Sequence, residues 1–356
     1  MTFEFGIFDS FDRGPWSAAE TIESRLRLAE EADARGFDHY HVTEHHGTEL
    51  SVVPSPNLFL AALSQRTRRM RMGALVYVLP EYEPIRLAEE VAVVDQLTHG
   101  RIDVGVGSGV SPHELAYFGV AGDEARGRYE RALASLAEAW TTGVLRNPEH
   151  PGRPEAELSV LPVQRPYPPL WYASSNPRTA EWAGANAVHF LGRWNGGELV
   201  SAAGAYWAAW RANRDAPGRL NGHVGGVPRV GMTTSILVAA SDAEARDRFL
   251  SAQAFYAARV VKLWHDHGNH GFDAAFDGER MLEQGTAVVG TAASVRDRLV
   301  DQIEHADVNM IEAQLYQGDM GHEEGLASLR AFAAIMPEIR AAAAAVAARE
   351  GRASIA

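Results

Sequence analysis

The amino-acid sequence predicts an α/β fold, a (β/α)8 TIM barrel with loop insertions, from two observations. Eight short apolar segments rich in β-branched and aromatic residues alternate with long amphipathic segments, which is typical of βα units around a parallel sheet. The 356 residues fit one barrel with insertions, and 46% of them are hydrophobic, enough to bury a large core. We therefore expect one domain over residues 1–356, with insertions at about 146–169 and 266–289.

The strands are predicted from short apolar runs, and the helices from apolar residues at a spacing of three and four. One helix covers residues 18–35 and ends at Gly36, and another begins at Pro84 and ends near residue 97. Residues 323–347 complete the outer ring of helices. The eight predicted strands are residues 3–9, 37–43, 70–79, 102–107, 170–174, 187–191, 230–239 and 309–316.

Two segments interrupt the repeat and are predicted to be insertions. Residues 146–169 carry many prolines, and residues 266–289 carry several glycines and few periodic positions. Long loops without their own secondary structure are often active-site lids. We interpret both segments as insertions in loops that follow strands.

Composition excludes several classes of function. The formal net charge of -13 disfavours binding to nucleic acid or to an anionic membrane surface. The chain has no cysteine, which excludes disulfides, thiolate catalysis and cysteine-ligated metals. The only lysine, Lys262, lies in a predicted helix and is interpreted as a surface residue. With neither a leader pattern nor a long apolar run in the sequence, we expect a cytoplasmic protein.

The densest candidate site is the segment 39–46, at the end of the second predicted strand. Catalytic groups of α/β barrels lie at the carboxyl ends of the strands, so Glu44, His45 and His46 are the candidate site residues. His39 and His41 lie earlier in the strand and are interpreted as structural. Two other interpretations of these histidines are possible. They could be polar loop residues without a function, or part of a metal site that resembles the amidohydrolase pattern. The sequence lacks the mid-barrel lysine of the amidohydrolase pattern, and we expect no metal.

Two further segments have ligand-binding potential. Residues 105–109 form a glycine-rich turn, but Val110 stands where a dinucleotide-binding motif needs its third glycine, and no helix is expected to start at once. We interpret the turn as a place where a ligand approaches the backbone. Ser175 and Asn176 directly precede a predicted helix. They either cap this helix, or they leave free N–H groups and hydroxyls at its start that can bind a phosphate, to which Arg126 adds a positive charge.

Taken in order, these segments resemble the bacterial luciferase-like flavin-dependent monooxygenase family over most of the chain. Each match alone is weak, whereas the ordered set is specific. The matching segments are residues 36–38, 44–46, 78–80, 84–90, 97–109, 179–183 and 289–291.

The resemblance implies reduced FMN, which reacts with dioxygen to give a flavin hydroperoxide that oxygenates a small organic substrate. His45 matches the catalytic histidine, with Glu44 beside it. Leu75 and Val76 match a non-proline cis peptide beneath the flavin ring. The phosphate-binding positions are Ser108, Arg126, Ser175, Asn176 and Thr179.

Ser108 departs from the pattern, because luciferases carry a phosphate-binding arginine at this position. The alternatives left open are a deazaflavin-dependent oxidoreductase of the same fold and a flavin-binding protein without catalysis. No nicotinamide site is visible, so a separate flavin reductase is expected as a partner. A homodimer is expected from the resemblance alone.

Overall fold

The computed structural model describes residues 3–352 and contains a closed barrel of eight parallel strands. The barrel order is β1-β2-β3-β4-β7-β8-β9-β11, and β11 pairs again with β1. The strands are β1 (Glu4–Asp9), β2 (His39–Val42), β3 (Arg71–Val78), β4 (Ile102–Gly107), β5 (Val144–Leu145), β6 (Ala156–Glu157), β7 (Leu170–Ala173), β8 (His189–Arg193), β9 (Val230–Val238), β10 (Ala287–Gly290) and β11 (Met310–Gln314).

Helices surround the barrel, and the sequence signals at their ends explain where they start and stop. Ser17 and Glu20 form a capping box at the first helix, and Gly36 ends it with φ of 89°. The helices are α1 (Ala18–Arg35), α2 (Pro56–Arg66), α3 (Pro84–Thr98), α4 (Pro112–Tyr117), α5 (Ala125–Thr142), α6 (Pro177–Ala185), α7 (Gly197–Ala212), α8 (Asp242–Val260), α9 (Lys262–Asp266), α10 (Gly278–Glu283), α11 (Ala292–His305) and α12 (His322–Glu350).

The eight predicted strands are confirmed as the eight barrel strands, but a ninth strand was missed. Strand β10 pairs in parallel with the carboxyl half of β9, where β9 extends beyond its pairing with β8. Three of its four residues lie within the predicted insertion 266–289, which also contains α10. A four-residue apolar run has too few positions to show a period, so the pattern did not reveal it.

The predicted position of the other insertion, residues 146–169, is wrong. This segment follows helix α5 and precedes strand β7, so it connects a helix to the start of a strand. It carries the short strand β6, which pairs antiparallel with β5 just before the segment, and the side chain of Gln164 donates a hydrogen bond to the carbonyl of Ile102 at the start of β4. Residues 146–169 therefore lie towards the amino-terminal end of the barrel.

Helix α12 is long and apolar enough to cross a membrane by length and composition alone. Its buried side chains pack against α1, α11 and β9. The helix is thus part of the outer ring, as the sequence predicts.

The barrel interior below the mouth is polar. The Nδ1 atom of His39 lies 3.1 Å from Oδ2 of Asp103, and its Nε2 lies 2.8 Å from Glu4. His41 bonds Glu312 through Nδ1, and its Nε2 lies 3.4 Å from Asp103. These contacts agree with the structural role expected for the two histidines.

The protonation of this cluster predicts a pH dependence of stability. Burial alone would lower the pKa of His41, but the charge of Glu312 and hydrogen bonds to Asp103 and Glu312 raise it to about 9. Because the pKa of His41 is higher in the folded than in the unfolded protein, protonation of His41 stabilises the fold. This stabilisation is complete below the unfolded-state pKa of about 6.5. The stabilisation is then lost as the pH rises through 9.

We expect the free energy of unfolding to fall between pH 6.5 and pH 9.5, by on the order of 3 kcal/mol. Urea unfolding at a series of pH values measures it. The variant His41→Gln is the control, because a neutral amide should flatten much of this slope. An unchanged slope in the variant contradicts the assignment to His41.

Candidate active site

A cavity of about 430 Å³ opens at the carboxyl ends of the barrel strands. It receives side chains from the ends of β1, β2, β3, β4, β7, β8, β9 and β11, and from helices α8 and α10. Of the residues predicted for the site, five line this cavity: Glu44, His45, Leu75, Val76 and Ser108.

His45 is held by a carboxylate that comes from another loop. Its Nδ1 atom lies 3.3 Å from both carboxylate oxygens of Glu114, and the same carboxylate accepts a bond from the backbone N–H of His46 at 2.8 Å. The imidazole is 24% exposed, and its Nε2 makes no hydrogen bond to residues 3–352. This nitrogen is therefore free to exchange a proton with a bound molecule.

Helix α4 places Glu114, and the expectation that no helix starts after the glycine-rich turn is wrong. Ser111 is the N-cap, where its side chain accepts a bond from the backbone N–H of Glu114 at 3.2 Å, and Pro112 takes the first position. Sequence reasoning missed Glu114. A serine followed three residues later by glutamate is a capping signal that could have found it.

Glu44 joins three elements around the site. Its Oε2 accepts a bond from the backbone N–H of Val78 at 2.7 Å, and its Oε1 accepts from the hydroxyl of Tyr82 and lies 3.3 Å from Nε2 of His46. The carboxylate thus fixes the ends of β2 and β3 to each other. The catalytic role of Glu44 stays a prediction.

Glu81 is a second carboxyl group that the sequence did not reveal. Burial and the nearby charge of Glu44 raise the pKa of Glu81 to about 8. Its Oε2 lies 3.7 Å from Nε2 of His46. Glu81 is therefore largely protonated at neutral pH and can act as a proton donor at the edge of the cavity.

Three groups of side chains have a geometry in which one ligand atom of each could approach a metal ion. In each group, a hydrogen bond already joins an imidazole to a carboxylate. The groups are His39 with His41 and Asp103, Glu44 with His46 and Glu81, and His265 with His270 and Asp273.

The peptide bond between Leu75 and Val76 is cis, as the resemblance implied. A Cβ atom on Gly105 would lie 2.4 Å from the carbonyl oxygen of Ala74, and one on Gly107 would lie 2.5 Å from the side chain of Val76. The missing side chains of Gly105 and Gly107 make room for strand β3 around the cis bond. Gly107 and Gly109 also line the cavity, and the expected approach of a ligand to this turn stays a prediction.

Replacing Gly105 with alanine is expected to lower the free energy of unfolding by about 1–3 kcal/mol, because the new methyl group must displace backbone atoms of β3. Gly204→Ala is the matched control, since an added Cβ there meets nothing within 4 Å. Urea unfolding of both variants measures the difference. Equal stability of the two would contradict the close contact.

The remaining predicted residues lie outside the cavity lining. Asn176 caps helix α6 by accepting the backbone N–H of Arg178 at 2.9 Å, whereas the hydroxyls of Ser175 and Thr179 have no hydrogen-bond partner in residues 3–352. Arg126 pairs with Glu130 on the surface of α5 and lies beside Tyr172, which lines the cavity. These groups stand next to the mouth and are open to an anion.

Arg193 also lines the cavity and was not predicted. It ends strand β8, and its Nη2 donates to the carbonyl of Ala275 at 3.2 Å. Its guanidinium carbon lies 5.4 Å from the ring centroid of Phe276. No carboxylate in residues 3–352 pairs with it, and burial lowers its pKa. The sequence feature that could have pointed to Arg193 is its position as a charged residue at the end of an apolar strand.

The chain belongs to the luciferase-like monooxygenase family. Residues 3–310 match the model of this family. The uncharacterized protein y4wF of Sinorhizobium fredii (strain NBRC 101917 / NGR234) is 36% identical over 326 residues, which cover 89% of this chain and 91% of that protein. Membership in this family supports an oxidoreductase.

Other similar proteins use flavin or F420. The oxygenase component of flavin-dependent trigonelline monooxygenase from Acinetobacter baylyi (strain ATCC 33305 / BD413 / ADP1) is 29% identical over 172 residues, 48% of each chain. The crystal structure of monooxygenase RslO1 from Streptomyces bottropensis superposes with a TM-score of 0.79 at 27% identity, over 94% of this chain and 99% of that one.

An F420-dependent secondary alcohol dehydrogenase shares the fold, with a TM-score of 0.69 at 16% identity over 95% of this chain and 99% of that chain. At this identity the likeness shows that the fold is shared.

Proposed function

We propose that this protein is the oxygenase of a two-component system, which uses reduced FMN and dioxygen to oxygenate a small organic substrate. The observation that carries the proposal is the shared cavity. It brings together His45, fixed by Glu114, and the apolar side chains of Leu75 and Val76 at the barrel mouth. A separate reductase would supply the reduced flavin, because the relative that acts on trigonelline is named as an oxygenase component.

The residues present fit an FMN molecule. Apolar side chains of Leu75, Val76 and Val78 line one part of the cavity and suit a planar ring. The exposed start of helix α6, with the unbonded hydroxyls of Ser175 and Thr179, offers hydrogen-bond donors to a phosphate. Arg126 beside Tyr172 adds a positive charge, whereas Ser108, another of the predicted phosphate-binding positions, adds none.

When bound, a reduced flavin would supply the electrons that activate dioxygen. The side chains of this protein then have two tasks. The apolar lining keeps water away from the reacting groups. His45, oriented by Glu114 through Nδ1, donates or accepts a proton at Nε2. Glu81 holds a further proton close to His46.

The test is rapid mixing of the protein with photoreduced FMN and then with air-saturated buffer. We expect a long-lived absorbance that differs from both reduced and oxidised flavin, and no such signal from free FMN. Immediate return of the oxidised spectrum would contradict oxygenase activity. A parallel titration with reduced deazaflavin distinguishes this function from the alternative, a deazaflavin-dependent oxidoreductase. Tight binding of deazaflavin with no binding of FMN would favour the alternative. The homodimer and the cytoplasmic location stay predictions.

A further inference from the structure

The cavity carries charges of opposite sign on its two sides. In the closed barrel, β2 and β8 are four strands apart in either direction around the ring, so the carboxyl end of β8 lies across the mouth from that of β2. His45 follows β2 with Glu114 behind it, and Arg193 ends β8. All three side chains line the same cavity. A molecule that spans the mouth therefore meets an imidazole at one end and a guanidinium at the other.

Arg193 lacks the partner that a half-buried arginine normally has. Its contacts in residues 3–352 are one backbone carbonyl, of Ala275, and the face of Phe276. Neither neutralises its charge, and Arg193 lines the cavity. A guanidinium offers two parallel donors that match a carboxylate, and such a pair gains strength when it is shielded from water.

A neighbouring hydroxyl completes a site for an anion. Tyr256 lines the same side of the cavity, close enough that the charge of Arg193 acts on it. Burial raises the pKa of Tyr256 and outweighs the interactions of the phenol oxygen with the side chains of Ser10 and Gln314, which lower it, so the phenol keeps its proton and its O–H can donate. Arginine and tyrosine together can satisfy both oxygens of a carboxylate.

Several large apolar side chains line the cavity that Arg193 and His45 share. Phe8 contributes from β1, and the ring of Trp264 lies 4.4 Å from that of Phe272 by centroids. Phe276 and Met281 extend this wall from the segment 266–289. The wall suits the aromatic or aliphatic body of a small molecule.

We propose that the substrate is a small carboxylic acid whose carboxylate binds Arg193 and Tyr256, while its apolar body lies along the wall towards His45. This inference rests on the proposed function, because the flavin occupies the part of the cavity near Leu75 and Val76. The competing assignment is that Arg193 binds the phosphate of FMN. In that case, replacing Arg193 would abolish FMN binding.

The experiment uses phenylacetate and its neutral counterpart phenylacetamide as probes, titrated into the whole protein by calorimetry. In the unmodified protein we expect phenylacetate to bind at least tenfold more tightly than the amide. Arg193→Gln should abolish that preference and leave the affinity for FMN within twofold. Arg193→Lys should keep part of the preference, because a cation remains.

Arg214→Gln is the matched control, since the guanidinium carbon of Arg214 also lies 5.4 Å from an aromatic centroid, that of Trp210, but outside this cavity. It should bind both probes as the unmodified protein does. A missing preference in the unmodified protein, or a preference that survives Arg193→Gln, overturns the carboxylate site.

Loss of FMN binding in Arg193→Gln also overturns it and assigns Arg193 to the phosphate. Failure of the proposed function would give a different result. The unmodified protein would bind no FMN, while its preference for phenylacetate would still depend on Arg193.

Discussion

Replacing His45 with alanine is expected to lower the rate of substrate oxygenation by about 10²–10⁴-fold, the usual contribution of a general acid or base. The imidazole is the group at the mouth that combines a free nitrogen with a fixed orientation, given by Glu114. The affinity for FMN should change little, because the predicted phosphate-binding residues lie elsewhere. Product formation under single turnover and a fluorescence titration with FMN measure the two effects.

Two variants make the result specific to the position of this imidazole. Glu114→Gln keeps a hydrogen-bond acceptor near Nδ1 but removes its charge, so we expect a smaller loss of rate than for His45→Ala. His305→Ala removes an exposed histidine at the end of α11 and should have no effect. Full turnover in His45→Ala would remove His45 from the mechanism.

The sequence predicted the fold well because its signals are local. Capping residues such as Ser17 and Gly36, and the period of apolar positions, depend on neighbours within a few residues. The position of His45 at a strand end followed in the same way from the strand pattern. These features therefore do not depend on how distant segments of the chain pack together.

The missed features depend on contacts between distant segments. Glu114 reaches His45 across 69 residues, and no pattern around either residue specifies that pair. Arg193 becomes an unpaired charge only when the barrel closes and leaves no carboxylate beside it. The interpretation of residues 146–169 failed because the end of helix α5, and not the proline content, decides on which side of the barrel the segment lies.

Replacing Asp103 with alanine is expected to lower the free energy of unfolding by about 3–5 kcal/mol, the usual cost of removing one partner from a buried ion pair. Its side chain is 1% exposed and accepts a bond from Nε of Arg71 at 2.9 Å and one from Nδ1 of His39 at 3.1 Å. Without the carboxylate, these positive groups stay buried with fewer partners. A whole domain is stable by only about 5–15 kcal/mol, so the loss is a large share.

Asp103→Asn tests whether charge or shape matters more, because the amide keeps one acceptor oxygen and most of the volume. We expect it to lose less stability than Asp103→Ala, and Asp301→Ala, which removes an exposed aspartate, to lose almost none. Both Asp103 variants should also show a smaller decline in stability between pH 6.5 and pH 9.5. The carboxylate helps to raise the pKa of His39 and His41, and without it both histidines would release their protons at a lower pH. An Asp103→Ala variant as stable as the unmodified protein would mean that the buried charges rearrange, and that this network does not hold the barrel together.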